Sequence, residues 1–139
     1  MVIPEVVIDT SVAFKWFVGY GETGLDGAGS LLRAHREGEL ELIAPSTITV
    51  EVANALRYLL PRPGDALDFL HELESVRLRL YDTTPSLVRL ATTRALETGM
   101  AVYDALFLAL AEQRECPLVT ADLKAFASIR SPIEIRLLG

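Results

Sequence analysis

Val6-Val7-Ile8-Asp9-Thr10-Ser11-Val12-Ala13-Phe14 reads as a strand that runs straight into a helix. The β-branched run favours extended backbone, and Asp9-Thr10-Ser11 is the kind of cluster that stops strands and caps helices. Val12, Ala13, Phe14, Phe17 and Val18 then recur at helical spacing. A strand that hands its chain directly to a helix opens a crossover unit, the building block of a parallel sheet.

The pattern repeats along the chain. The glycines from Gly19 to Gly29 break the periodicity and read as a loop, followed by a helix carrying Ala28, Leu31, Leu32 and His35 that stops at Gly38. Leu42-Ile43-Ala44 reads as a strand, and Pro45-Ser46 opens a helix to about Leu60 with Ile48, Val52, Ala55, Leu56 and Leu59 on one face. Pro61-Arg62-Pro63 stops it. Further helices are expected over 64–75, 85–97, 102–112 and 123–127, and further strands over 77–81, 117–120 and 133–137. Strands alternating with helices imply an α/β fold in three layers, about five parallel strands covered on both faces by about seven helices. Within residues 1–139 there is no repeat, low-complexity tract or dividing linker, so the expectation is one domain.

Composition narrows the function classes. Half of the residues are hydrophobic and 23% are charged, which excludes a disordered or fibrous chain. A formal charge of −6 excludes a protein that grips nucleic acid by a broad basic surface, although bound cations can supply positive charge locally. Met1–Thr10 lacks a basic leader, and Glu5 and Asp9 interrupt its apolar run, so no signal peptide is expected. No stretch approaches the roughly 20 apolar residues of a membrane span. The single cysteine, Cys116, forms no internal disulfide and fits a reducing cytoplasm. Asn54 and Gln113 are the only side-chain amides, and arginine outnumbers lysine eleven to two, a balance that suits a thermophilic source or a GC-rich genome.

Four acids stand where acids are costly or where ligands bind. In open parallel sheets ligands sit beyond the carboxyl ends of strands, near the point where strand order reverses. Asp9 follows the first strand and Asp122 follows Leu118-Val119-Thr120, while Glu51 and Asp104 interrupt apolar helices. Each also has a structural reading. Asp9 and Asp122 suit helix caps, Asp104 suits the positive end of a helix dipole, and Glu51 suits an ion pair with a neighbouring arginine. Four carboxylates brought together without compensation repel one another, and a hard divalent cation makes such a cluster tolerable. The all-oxygen set favours Mg²⁺ or Mn²⁺, and zinc is disfavoured because His35, His71 and Cys116 lie outside it. Ser11 and Thr120, each two residues from a strand-end acid, are candidates for orienting water or a carboxylate. Lys15, Arg57, Arg94 and Lys124 are candidates for phosphate contacts.

Four blocks together carry a resemblance. They are Val7-Ile8-Asp9-Thr10-Ser11, then Glu51-Val52-Ala53-Asn54-Ala55-Leu56, then Tyr103-Asp104-Ala105-Leu106-Phe107-Leu108-Ala109-Leu110-Ala111, and last Leu118-Val119-Thr120-Ala121-Asp122. In this order and spacing the chain resembles PIN-domain ribonucleases, and within them the short VapC-like toxins of prokaryotic toxin–antitoxin pairs. The resemblance implies strand order 3-2-1-4-5, which sets the first and fourth strands side by side and brings Asp9 and Asp122 together. It implies Mg²⁺ or Mn²⁺ held by Asp9, Glu51, Asp104 and Asp122, with Ser11, Thr120 and Asn54 in support. It also implies an RNA substrate, a homodimer and an antitoxin that occludes the site. The glycine-rich segment Gly19–Gly29 departs from the shorter, more acidic connection of such proteins and bears on the shape of the substrate groove.

The reaction expected is hydrolysis of an RNA phosphodiester by water, leaving 5′-phosphate and 3′-hydroxyl ends. Two other classes fit less well. Gly19-Tyr20-Gly21-Glu22-Thr23-Gly24 spells G-x-G-x-x-G, but that dinucleotide fingerprint must join a strand directly to a helix. A phosphoacceptor receiver domain needs paired acids after an early strand and a lysine after a late one, and neither is present. A catalytically silent PIN fold that only binds RNA or protein is the remaining alternative.

Overall fold

In a computed structural model the described residues are 2–17, 24–60 and 62–138. The elements run β1 (Glu5–Ile8), α1 (Thr10–Phe17), α2 (Leu25–Arg36), β2 (Glu41–Pro45), α3 (Ile48–Leu59), α4 (Pro63–Val76), β3 (Arg79–Tyr81), α5 (Pro85–Thr98), α6 (Val102–Arg114), β4 (Leu118–Thr120), α7 (Leu123–Phe126) and β5 (Ile135–Leu137). All strand pairings are parallel and the order is β3-β2-β1-β4-β5, as the resemblance implies.

The order reverses at β1. Crossovers leave it toward β2 and β3 on one side, and the chain returns past it to β4 and β5 on the other. Because such crossovers are right-handed, the first four helices and the later ones cover opposite faces. The core follows from this burial on both faces. Val7, Ile8, Leu42, Ile43, Leu118 and Val119 are completely covered. So are Val12, Val52 and Leu56 from the helices. α6 packs across β1, β2 and β4, which explains why Ala105–Ala111 are all buried instead of forming one apolar stripe.

Several boundaries differ from the sequence reading, each for a local reason. The expected Gly19–Gly29 loop runs too far, because α2 already begins at Leu25 and contains Gly27 and Gly29. Tertiary packing overrides helix propensity here: a Cβ on Gly27 would stand 2.9 Å from the Leu138 Cδ2 methyl, so that side chain would have to shift to admit it. Residues 18–23, including Val18 of the expected first helix and most of the G-x-G-x-x-G stretch, lie outside the described residues. Pro45 ends β2 and does not open α3. Ser46 donates its N–H to the Tyr81 carbonyl, and the α3 cap falls to Thr47, with no side-chain cap bond. β3 starts at Arg79 because Arg77, at φ 57°, closes α4 in the left-handed region. β5 starts at Ile135 because Ile133 is held in a turn by the Ser131 hydroxyl.

His35 ties these layers together. Its Nδ1 accepts from Leu42 N at 3.1 Å, which leaves Nε2 to donate to the Val76 carbonyl at 2.9 Å. Arg94 likewise holds the later helices, pairing with Glu97 and Glu112 and bonding to the Arg130 carbonyl.

Two glycines give opposite expectations. Gly29 lies inside α2 with open space where its Cβ would be, so Gly29→Ala should stabilise the protein by about 0.5–1 kcal/mol. Gly38 has φ 76°, so Gly38→Ala should destabilise by about 1 kcal/mol. Urea denaturation of the two variants measures both signs.

Candidate functional site

The site grows from the carboxyl edge of β1 and β4. Val7 faces Leu118 and Ile8 faces Val119, so continuing the register sets Asp9 beside Thr120. Thr120 Oγ1 donates to Asp9 Oδ2 at 2.5 Å, and Ser11 Oγ donates to Asp9 Oδ1 at 2.5 Å. The backbone N–H groups of Ser11 and Val12 also reach Oδ1, at 3.1 and 3.3 Å. Asp9 is therefore both the cap of α1 and a carboxylate clamped between the start of α1 and β4, only 6% exposed. The two hydroxyls extend the clamp: Ser11 Oγ accepts from Ala121 N at 2.8 Å, and Thr120 Oγ1 accepts from Asp122 N at 3.0 Å.

The other three acids arrive from helix starts. Asp122 caps α7, its Oδ1 accepting from Ala125 N at 3.0 Å. Glu51 and Asp104 sit in the first turns of α3 and α6. The positive ends of α1, α3 and α6 thus each carry an acid, and each dipole offsets roughly 0.3–1 kcal/mol of the repulsion.

Charge links the four acids pairwise. Burial pushes the Asp9 carboxyl up to about 6 against the opposing bonds from Ser11, Thr120 and Val12, and the charge of Asp122 adds to the rise. Burial pushes Glu51 up to about 7, with Asp104 and then Asp9 adding to it. Asp104 is raised by burial and by the charge of Asp122. Each acid exerts or feels the charge of at least one other, so the four that the sequence singled out share one electrostatic neighbourhood. The ion pair considered for Glu51 is absent among the described residues. Its Oε2 is buried without a hydrogen-bond partner, as is the Thr10 hydroxyl, which lies near enough to oppose the rise of the Glu51 pKa without a well-formed bond.

The supporting residues divide. Ser11 and Thr120 are central to the Asp9 clamp, whereas Asn54 is exposed on α3 and makes no hydrogen bond to the acids among the described residues. Of the candidate cations, Arg94 is committed to its ion pairs and Arg57 stacks on Tyr58. Lys124 lines a cavity with Asp104 and Asp122. Lys15 lies on α1. Sequence reasoning missed the Thr10 hydroxyl and this cavity. Thr10 was recoverable in principle as the first helical residue beside Asp9, but the cavity depends on how α7 meets the α5–α6 turn. Cys116 is buried, with its thiol pushed up to about 11, and stands apart from the acids. Among the described residues no three histidine, cysteine or acidic side chains stand close enough together to hold a metal ion as they are placed, and no helix is long and apolar enough to cross a membrane.

A parallel α/β sheet with acids gathered at its switch point defines a class of domain that binds its ligand at the carboxyl edge. Comparison with known proteins makes the assignment specific. The PIN domain family profile matches residues 6–131. The chain is 30% identical over 120 residues to ribonuclease VapC9 of Mycobacterium tuberculosis, covering 86% of this chain and 87% of that protein. This chain belongs to the PIN-domain family. Among solved structures, VapBC2 of Rickettsia felis bound to a promoter DNA fragment superposes with a TM-score of 0.72 at 16% identity, covering 94% of this chain and 96% of that one. VapC20 of Mycobacterium tuberculosis, a toxin that cleaves the sarcin–ricin loop, gives 0.58 at 17% identity, covering 81% and 86%. These two likenesses establish the fold.

The raised acids set a pH dependence. A carboxyl whose folded pKa lies above its unfolded value keeps a proton that the unfolded chain has lost, so stability falls as pH rises. Without divalent ions, unfolding free energy should drop by roughly 2–4 kcal/mol between pH 5 and 8 as Asp9 and Glu51 ionise through about 6 and 7. Asp104→Asn removes a charge that raises Glu51 and should flatten the profile. Urea titrations in EDTA at several pH values measure both; a wild-type profile that rises over this range would contradict the cluster.

Proposed function

We propose that this chain is an endoribonuclease that hydrolyses RNA phosphodiester bonds with Mg²⁺ or Mn²⁺, and that it is the toxin of a toxin–antitoxin pair. The observation that carries the reading is the mutual electrostatic pressure among Asp9, Glu51, Asp104 and Asp122, which a divalent cation relieves. The ribonuclease relative at 30% identity supports the activity, and neighbours solved as toxin–antitoxin complexes support an antitoxin partner.

The residues fit such a cation. All the available donors are hard oxygens, and Glu51 Oε2 is a buried acceptor without a well-formed hydrogen bond. Mg²⁺ keeps several waters and is usually held by one or two carboxylates, so an open set of acids suits it better than a closed cage. Asp9, Asp104 and Asp122 would hold it directly or through water, and Glu51 would complete the set or orient the attacking water. When bound, the cation makes water acidic enough to attack at neutral pH and neutralises charge building on the phosphate. The protein's own part is placement. Ser11 and Thr120 fix the Asp9 carboxylate, and the helix starts fix Glu51 and Asp104 on packed elements.

The same reading includes a homodimer in the cytoplasm, following family resemblance, with sedimentation of the purified chain as the check. A catalytically silent PIN fold is the second reading, favoured by the finding that no three acidic, histidine or cysteine side chains among the described residues are placed to hold a metal ion. One assay separates the two. Wild type should cleave single-stranded RNA only with Mg²⁺ or Mn²⁺, and Asp104→Asn should lower the rate by at least about 100-fold while keeping its circular dichroism spectrum. Undiminished cleavage by Asp104→Asn would remove the mechanism, and inactivity of wild type over a broad RNA panel would favour the silent module.

A further inference from the structure

Four buried side-chain polar atoms lack a hydrogen-bond partner among the described residues, and three of them belong to the starts of α1 and α3: Thr10 Oγ1, Thr47 Oγ1 and Glu51 Oε2. Unpaired buried polar groups are costly, so three on two neighbouring helix starts need a reason. Thr47 and Glu51 stand one turn apart, Glu51 donating its N–H to the Thr47 carbonyl at 3.0 Å. Side chains on a helix lean toward its N-terminus, which aims Glu51 back over Thr47. The Thr47 hydroxyl makes no cap bond, the usual duty of a threonine in that place. Thr10 opens α1, which packs on α3, and its hydroxyl lies near enough to Glu51 to draw that carboxyl down against burial. The three atoms are complementary: two hydroxyls that can donate, and one carboxylate oxygen that can accept from both.

Glu51 is also the acid that most needs holding. Asp9 is clamped by Ser11 and Thr120, and Asp122 caps α7. Glu51 has the longest side chain of the four, feels the charges of both Asp104 and Asp9, and is only half-buried. Untethered, it would swing out into water, where the repulsion is screened and rotamer freedom is regained. We propose that the Thr10 and Thr47 hydroxyls are positioning groups that tether Glu51, donating together to Oε2 and keeping the carboxylate turned toward Asp9 and Asp104. The inference rests on the cation-dependent nuclease reading and adds to it two residues that act through Glu51 and touch neither the cation nor the RNA.

The test is Mn²⁺ affinity in the absence of RNA, read from the electron paramagnetic resonance signal of free Mn²⁺. Thr10→Val keeps the shape and removes the hydroxyl, and should weaken binding roughly tenfold, as loss of a group that orients a metal ligand does. Thr10→Ser, which keeps the hydroxyl, should bind as wild type does. In a Glu51→Ala background Thr10→Val should cause no further loss, because the group it positions is gone. Thr47→Val should repeat the pattern, and it carries the test if circular dichroism shows Thr10→Val unfolded. Unchanged affinity in the valine variants, or an equal loss with Glu51 already removed, would overturn the proposal. A loss that Thr10→Ser shares would overturn it too, since the hydroxyl would then not be the agent. Wild type without Mn²⁺ affinity would overturn the cation reading and the tether together, whereas wild type and valine variants that bind Mn²⁺ equally remove the tether alone.

Discussion

Four carboxylates share one edge of this sheet, and their repulsion is the constraint that the rest of the structure accommodates. A buried carboxylate costs several kcal/mol unless donors or cations compensate. Asp9 receives the fullest compensation: two hydroxyls, two backbone N–H groups and a helix start. Asp122 receives a backbone N–H at Oδ1. Glu51 keeps one oxygen buried without a well-formed bond, and Asp104 has no hydrogen-bond donor among the described residues. The gradient runs from a fixed anchor to an uncompensated acceptor, the arrangement expected where a ligand completes the set.

The fold supplies that edge with little freedom left over. β1 and β4 pair at the reversal of strand order, so Asp9 and Thr120 meet by register alone. Glu51 and Asp104 ride on helices whose buried faces are locked into the core, at Ile48, Val52 and Leu56 in α3 and at Ala105–Ala111 in α6. The acids therefore cannot separate without disturbing packing, and the strain of holding them together is borne by overall stability.

Much of this was legible in the sequence, because the informative signals were local. Val6-Val7-Ile8 followed by Asp9 fixes a strand end, the glycine at 99 ends α5 at φ 80°, and acids inside apolar helices stand out in composition. Strand order was legible only through resemblance, since periodicity says nothing about which strands pair. The misplaced boundaries share a cause in tertiary contact. Gly27 looks like a loop residue until Leu138 packs against it, and Pro45 looks like a helix opener until Ser46 bonds across to Tyr81. The helix caps show the limit most clearly. Asp9 and Asp122 were open to a capping or a site reading, and in the structure each caps a helix while also joining the acid cluster.

The most direct test of convergence uses a cation that reports its own position. Mn²⁺ added in substoichiometric amounts at pH 8 broadens amide resonances within its reach. Broadening confined to the neighbourhood of Ile8–Ser11, Glu51, Asp104 and Ala121–Asp122 is the predicted result. Broadening centred elsewhere, for example on the acids around Glu112 and Glu134, would contradict the claim that these four carboxylates form one site.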